Sequence, residues 1–309
     1  MKLNRRTFLA TVGAGVAAFD SRGAAAESGP EPAIDDGMGL LVDTTECIGC
    51  RKCEFACNQA QNLTSKPLVE FEDMSVYNEP RRMTADAFTV VNRFAQPEAP
   101  DKPIYVKSQC MHCMQPACVS ACLVGALQTA KNGAVTYDAQ KCMGCRYCMV
   151  ACPFEVPAYE YHEALAPRVR KCIFCFDRVT KEGKIPACAE MCPPMCLTYG
   201  KRSDLIALAH EKIAMRPENY VDHVYGEHEA GGTRWLYLAA KPFEQLGFLK
   251  IGDAPIPKLT ESLQHGIFKY GIPPLLLYGL LGTAMAAFRD DANTAIPAAP
   301  TACNGGVAR

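Results

Sequence analysis

The sequence contains 18 cysteines and 6 histidines, yet no C-x-x-C pair is followed by histidine. Cys50 precedes Arg51, Cys113 precedes Met114, Cys145 precedes Arg146 and Cys175 precedes Phe176, so covalent c-type haem is not supported. An excess of charge is missing as well. The chain carries a net charge of -1, and residues 1–26 hold four basic and one acidic side chain, so the remainder carries -4. Phosphate neutralisation needs a basic face, and none is signalled, which argues against a nucleic-acid partner. The glycines of VGAGVA at 12–17 lack a preceding strand, a third spaced glycine and an acidic partner, so they do not make a dinucleotide loop. No nucleophile–base constellation is visible, and the chain reads as non-catalytic. Tryptophan is reduced to Trp235, whose place in an apolar strand reads as core and not as an electron relay.

The cysteines are what is abundant. Sixteen of the 18 fall into four quartets: Cys47, Cys50, Cys53, Cys57; Cys110, Cys113, Cys118, Cys122; Cys142, Cys145, Cys148, Cys152; and Cys172, Cys175, Cys188, Cys192. The third, CMGCRYCMVACP at 142–153, has the spacing C-x2-C-x2-C-x3-C-P of bacterial ferredoxins, where thiolates hold a [4Fe-4S] cluster and the fourth cysteine reaches a neighbouring cluster. Clustering of this kind argues against loop-stapling disulfides. A structural zinc protein is the remote alternative, because C-x-x-C pairs also build zinc ribbons. Tetrahedral zinc sites use pairs, however, and C-x2-C-x2-C triplets are present here.

An internal repeat underlies two of the quartets. LLVDTTECIGCRKCEFAC at 40–57 matches VTYDAQKCMGCRYCMVAC at 135–152, each with an aspartate, Asp43 or Asp138, four residues before its first cysteine. Gly49 and Gly144 relieve crowding where the backbone turns inward, and the fourth cysteine is expected to begin a helix, with small Ala56 and Ala151 before it. Arg51 and Arg146 read either as solvated charges or as groups that tune a cluster potential. In the second quartet, CMHCMQPACVSAC, every ligand position is sulfur, so His112 is expected in a polar supporting or exposed role. The twelve residues between Cys175 and Cys188 form a wall; Cys196 reads as a small buried residue and Cys303 as incidental.

Residues 1–26, with Arg5-Arg6 before an apolar stretch, read as a twin-arginine export signal. Residues 27–37 are a linker and 38–200 hold the cysteine modules, interrupted by an insertion at 58–106 that shields a cluster or meets a partner. Strands are expected at Met38–Asp43, Thr89–Val91 and 231–240, and a hairpin around Asn132-Gly133. In the 201–266 extension, 203–219 reads as a helix capped by Ser203, with His210 on its surface. Residues 267–288 are apolar enough to predict one transmembrane helix, which would leave the cysteine domain in the periplasm and the 289–309 tail in the cytoplasm.

Four quartets in this order, with four residues inside the second and twelve inside the fourth, resemble the iron–sulfur subunits of the dimethyl sulfoxide reductase and formate dehydrogenase family. GCRYCMVACPF at 144–154, GGT at 231–233 and the two chain ends narrow the resemblance to the subunits of hydrogenase-2, and IGCRKCEFACN with TVVNRF to that of the high-molecular-weight cytochrome c complex. The resemblance implies an α+β fold of two bacterial-ferredoxin-like dicluster modules with insertions, the outer quartets (38–57 with 167–200) forming one and the inner quartets (107–160) the other. It implies four [4Fe-4S] clusters: Cys47, Cys50, Cys53 with Cys192; Cys172, Cys175, Cys188 with Cys57; Cys110, Cys113, Cys118 with Cys152; and Cys142, Cys145, Cys148 with Cys122. The implied role is electron transfer in an inner-membrane complex, between a multihaem cytochrome c or periplasmic hydrogenase and a quinone-reactive membrane subunit. The alternative implied role is the electron-transfer subunit of a molybdopterin enzyme such as formate dehydrogenase. The chain departs from the common pattern in having no proline after Cys57 or Cys122, and Pro194-Met195 in place of a usual glycine.

Overall fold

The computed structural model describes residues 37–64, 66–257 and 274–285. The expected export signal, the linker up to residue 36, residues 258–273 and the end of the chain with Cys303 lie outside the described residues. Nine strands occur among the described residues: β1 Met38–Asp43, β2 Thr89–Phe94, β3 Ile104–Gln109, β4 Leu127–Thr129, β5 Val135–Tyr137, β6 Ala158–Tyr159, β7 Val169–Arg170, β8 Leu197–Lys201 and β9 Trp235–Leu238.

Strand β1 is the middle of a three-stranded sheet, antiparallel to β8 and parallel to β9. A strand with neighbours on both edges and cover on both faces reads as an unbroken apolar run, and GLLV does. Alternation then sorts the side chains. Leu40 and Val42 face one core with Trp235 and Tyr237, while Leu41, Leu236 and Leu238 face another made with Leu205, Ala209 and Ile213. Those last three residues recur every fourth position along the helix Arg202–Met215, so one stripe meets the sheet. Each buried leucine or valine contributes about 1.5–3 kcal/mol.

The expected cap of this helix is displaced. Lys201 occupies the cap position, and Ser203 lies inside the first turn. The helix stops at Met215 instead of running to 219, because Pro217 disfavours the helical conformation at Arg216, which has φ -141° and ψ 64°.

The sequence repeat reappears as topology. β1 leads into the first quartet and pairs with β8, which leaves the fourth; β5 leads into the third quartet and pairs with β4, which leaves the second. The β4–β5 turn carries Gly133 at φ 86°, a conformation L side chains rarely adopt. In the insertion, β2 runs to Phe94 and pairs antiparallel with β3 along its whole length.

The predicted transmembrane helix at 267–288 is corrected by the structure: among the described residues no helix is long and apolar enough to cross a membrane. Of that span, residues 274–285 are described.

Candidate functional site

Each quartet opens with C-x-x-C, and in all four loops the residue before the second cysteine has positive φ: Gly49 at 69°, His112 at 47°, Gly144 at 74° and Phe174 at 61°. Two loops fill this position with glycine, at no steric cost, and two accept the strain with a ring in place. A Cβ on Gly49 would overlap the Tyr105 ring, so the glycine also permits a close approach. A second shared kink lies three residues beyond a fourth cysteine, at Gly125 (63°), Glu155 (50°) and Met195 (53°). Met195 thus takes the left-handed conformation that glycine would adopt more easily.

Helices do not begin at the fourth cysteine, as the sequence suggests. Lys52–Gln61 contains both Cys53 and Cys57; Tyr147–Ala151 contains Cys148 and ends at Cys152; Ala117–Ser120 and Ala187–Glu190 contain Cys118 and Cys188. Third and fourth cysteines are always four residues apart, about one helical turn or 6 Å of rise. In Lys52–Gln61 one turn presents both thiols, and in the other three quartets the fourth cysteine follows just after the helix end.

One recess is lined by Cys47, Cys50, Cys53 and Cys192, together with Cys196, Lys107 and Val91. A second is lined by Cys57, Cys172, Cys175 and Cys188, with Lys107, Thr89, Phe174 and Trp235. Cys110, Cys118 and Cys152 gather around Cys113, whose thiol is pushed well up by burial and then by those three neighbours. Burial likewise raises Cys148 to about 11, helped by Cys142, Cys145 and Cys122. The groups adjoin in a line. Cys53 of the first feels Cys188 of the second, Cys172 of the second feels Cys110 of the third, and Cys118 of the third feels Cys148 of the fourth.

Among the described residues no three His, Cys, Asp or Glu side chains converge closely enough to hold a single metal ion. In the first two groups the four donors line a recess instead of converging on a point, which fits a polynuclear cluster better than mononuclear zinc. Burial also lifts Cys118 and Cys172 to about 12 and Cys152 to about 11, so loading these positions must release protons.

The Cys192 side differs because of Cys196. That buried thiol lies 3.4 Å from the Cys192 sulfur. Its hydrogen bonds lower Cys192 to about 6 and lower Cys47, while its own pKa is driven up by donating to both. Cys196 is small and buried, and it is also the fifth sulfur of this recess. His112 is fully buried; its Nδ1 accepts from the Val135 N–H at 2.9 Å, and its ring lies 5.0 Å from that of Phe174. Burial, then the charges of Lys171 and Arg234, hold its pKa well below the ordinary value, so the ring is neutral.

The two repeat arginines part company. Arg51 is buried and donates to Glu54 Oε2 from Nε at 3.2 Å and Nη2 at 3.1 Å; Arg146 is exposed and lies over the Tyr159 ring at 5.3 Å. The difference is in the sequence, where the position of Glu54 is Met149 in the other repeat. The two aspartates behave alike: Asp43 accepts from the N–H of Thr45 at 3.1 Å and Asp138 from that of Gln140 at 3.0 Å, each turning the chain toward its first cysteine. His210 is exposed and pairs with Glu227 at 2.9 Å, and Trp235 is 1% exposed in the core.

Sequence reasoning passed over two lysines. Lys107 and Lys171 are both buried against the thiol groups. The available signals were a lysine inside the apolar strand IYVKSQ and the adjacency of Lys171 to Cys172.

A family model described as a 4Fe-4S dicluster domain matches residues 102–202, which hold the second to fourth quartets. A protein of Nitratidesulfovibrio vulgaris is 46% identical, over 90% of this chain and 76% of its own length. The hydrogenase-2 operon protein HybA of Escherichia coli O157:H7 is 32% identical, over 94% of this chain and 97% of its own. The formate dehydrogenase-O iron-sulfur subunit of Escherichia coli K12 is also 32% identical, over 82% of each. Similarity that runs through nearly the whole of both chains, and not only through the cysteine motifs, means that this chain belongs to the family of 4Fe-4S dicluster iron–sulfur subunits that includes HybA and the formate dehydrogenase subunits.

Proposed function

We propose that the four thiol groups hold four [4Fe-4S] clusters. In this reading the chain, without substrate chemistry of its own, carries electrons between a periplasmic partner and a quinone-reactive membrane subunit. The observation that carries it is the line of four adjoining cysteine groups, each fed by one fourth cysteine from the partner quartet. When bound, a [4Fe-4S] cluster supplies one reversible electron. The protein supplies the rest: thiolates that bind, inward-turning loops that orient them, and β2–β3 residues Thr89, Val91 and Lys107 that keep water from the first two groups. Electrons enter and leave at the end groups, beside which Ile48 and Met195 are exposed at one end and Met143, Tyr147 and Val150 at the other.

The hydrogenase-2 operon protein HybA among the relatives supports a hydrogenase as the periplasmic partner, with a multihaem cytochrome c the other candidate from the sequence resemblance; the formate dehydrogenase-O iron-sulfur subunit supports the second reading, a formate dehydrogenase. Arg5-Arg6 supports export of the folded chain to the periplasmic face of the inner membrane. Purification from membranes, with partners identified by mass spectrometry and iron counted, tests the reading. About sixteen irons per chain, four for each of four clusters, and interacting paramagnetic signals on reduction are the expected result. Zinc without iron and acid-labile sulfide would overturn it.

A further inference from the structure

Lys107 lies on β3, is 2% exposed, and its ammonium is in no ion pair with a carboxylate among the described residues. Its Nζ donates to Gln109 Oε1 at 2.8 Å and stands 4.4 Å from the centre of the Trp235 ring. Gln109 is itself held, its Nε2 donating to the Tyr237 hydroxyl at 2.6 Å, and that hydroxyl donates to the Lys107 carbonyl at 2.9 Å. An ammonium taken out of water needs a countercharge, and neither an amide nor a ring supplies a full one. Burial alone would discharge this amine, but Cys188 and Cys53, with Tyr237 and Cys172, more than reverse the effect and hold its pKa above the ordinary lysine value.

Both the Cys47/Cys50/Cys53/Cys192 recess and the Cys57/Cys172/Cys175/Cys188 recess are lined by this one side chain. Its charge opposes the effect of burial on Cys47 and Cys53 of the first and on Cys57, Cys172 and Cys175 of the second. Lys171 has a comparable place further along: it donates to the carbonyls of Val135 at 2.6 Å and Cys172 at 2.9 Å, and its charge acts on Cys118 and Cys152.

On the reading that the thiol groups hold clusters, we infer that Lys107 is the shared countercharge of the first two clusters and raises both reduction potentials together. A thiolate-ligated cluster becomes more negative when reduced, so a fixed cation beside it favours the reduced form, and net charge is one of the levers that set these potentials. Because one ammonium serves both recesses, the two potentials rise together and the step between them is left as the rest of each site sets it.

The test is redox potentiometry followed by electron paramagnetic resonance on the full chain in its membrane complex. Lys107→Met is expected to shift two of the four midpoints downward and leave the other two in place, and Lys107→Arg to restore them. Gln109→Glu sets a carboxylate against the same ammonium with almost no change of shape, and it shifts the same two midpoints downward even if Lys107→Met does not assemble. Unchanged midpoints, or an equal shift of all four, in variants that keep wild-type iron would overturn the inference. A wild-type protein without about sixteen irons would sink the cluster reading instead, so the two failures are told apart.

Discussion

Replacing Glu54 by glutamine removes the charge on which two arginines converge. The Glu54 carboxylate accepts from Arg51 at 3.2 and 3.1 Å, from Arg81 at 3.1 and 2.5 Å, and from the Val91 N–H at 2.7 Å. Its side chain is 5% exposed, that of Arg51 6% and that of Arg81 24%. Removing one partner of a buried pair costs about 3–5 kcal/mol, because the remaining charge stays desolvated. With Arg81 partly solvated, the lower end applies, about 3 kcal/mol. At roughly 2–4 °C per kcal/mol for a domain of this size, that is a loss of about 6–12 °C in Tm. The loss also reaches the candidate site, since Glu54 lies between Cys53 and Cys57 and its bond to Val91 seats β2 over the recesses. Anaerobic thermal unfolding followed by circular dichroism, with iron release recorded in parallel, measures both effects. Met149→Leu, at the matching repeat position, is the control and is expected to cost less than about 1.5 kcal/mol. If Glu54→Gln lowered Tm by less than about 2 °C and released iron no faster than wild type, the network would not be what seats the insertion on the first quartet.

Gly49→Ala is expected to destabilise more than Gly144→Ala although both have positive φ, because the first Cβ overlaps the Tyr105 ring and the second meets nothing nearer than the Tyr159 hydroxyl at 3.3 Å; backbone strain alone accounts for about 1–2 kcal/mol in each, and denaturant titration separates them. Cys57→Ser is expected to alter the signal of the group containing Cys172, Cys175 and Cys188, and Cys53→Ser that of the group containing Cys47, Cys50 and Cys192; identical spectra for the two variants would contradict the grouping. Burial works to raise the Asp43 carboxyl, but bonds from Lys212 at 2.7 Å, Thr45 and Tyr220 at 2.8 Å outweigh it and hold the group below its ordinary value. Its folded pKa is thus below the unfolded one, about 3.9, so its stabilisation is present above that pH and is lost as pH falls through the folded value. Wild type is therefore expected to lose more stability than Asp43→Asn between about pH 5 and 3 in acid-unfolding curves.

What the sequence makes legible is whatever local spacing encodes. The quartets, the Asn132-Gly133 hairpin and the buried strand β1 are of this kind, since four or twelve residues suffice to specify each. Which quartet shares a recess with which is different, because Cys57 and Cys172 are far apart in sequence and meet only when β1 pairs with β8. Spacing leaves that open. Lys107 illustrates a second limit: alternation puts Ile104 and Val106 on one face of β3 and Lys107 and Gln109 on the other, which reads as inside and outside. All four are buried, because the strand has recesses and protein on both sides. The transmembrane helix expected at 267–288 rested on apolar composition, and among the described residues no helix is long and apolar enough to cross a membrane.

The two loops that forgo glycine, at His112 and Phe174, are the ones that meet between the outer and inner quartets, ring against ring at 5.0 Å. In a series path the slowest link limits the current, and tunnelling between two centres falls exponentially as they separate. On the reading that the four thiol groups hold four clusters, the middle link would have its length set by a contact between two packed rings, Phe174 also lying edge-on to Trp235 at 6.1 Å. A protein that lost this contact would keep every sulfur it has and still be divided in two: each half would charge and discharge with its own partner, and traffic between the halves would slow. On that reading the two packed rings would act as a spacer, holding the joint at a fixed length.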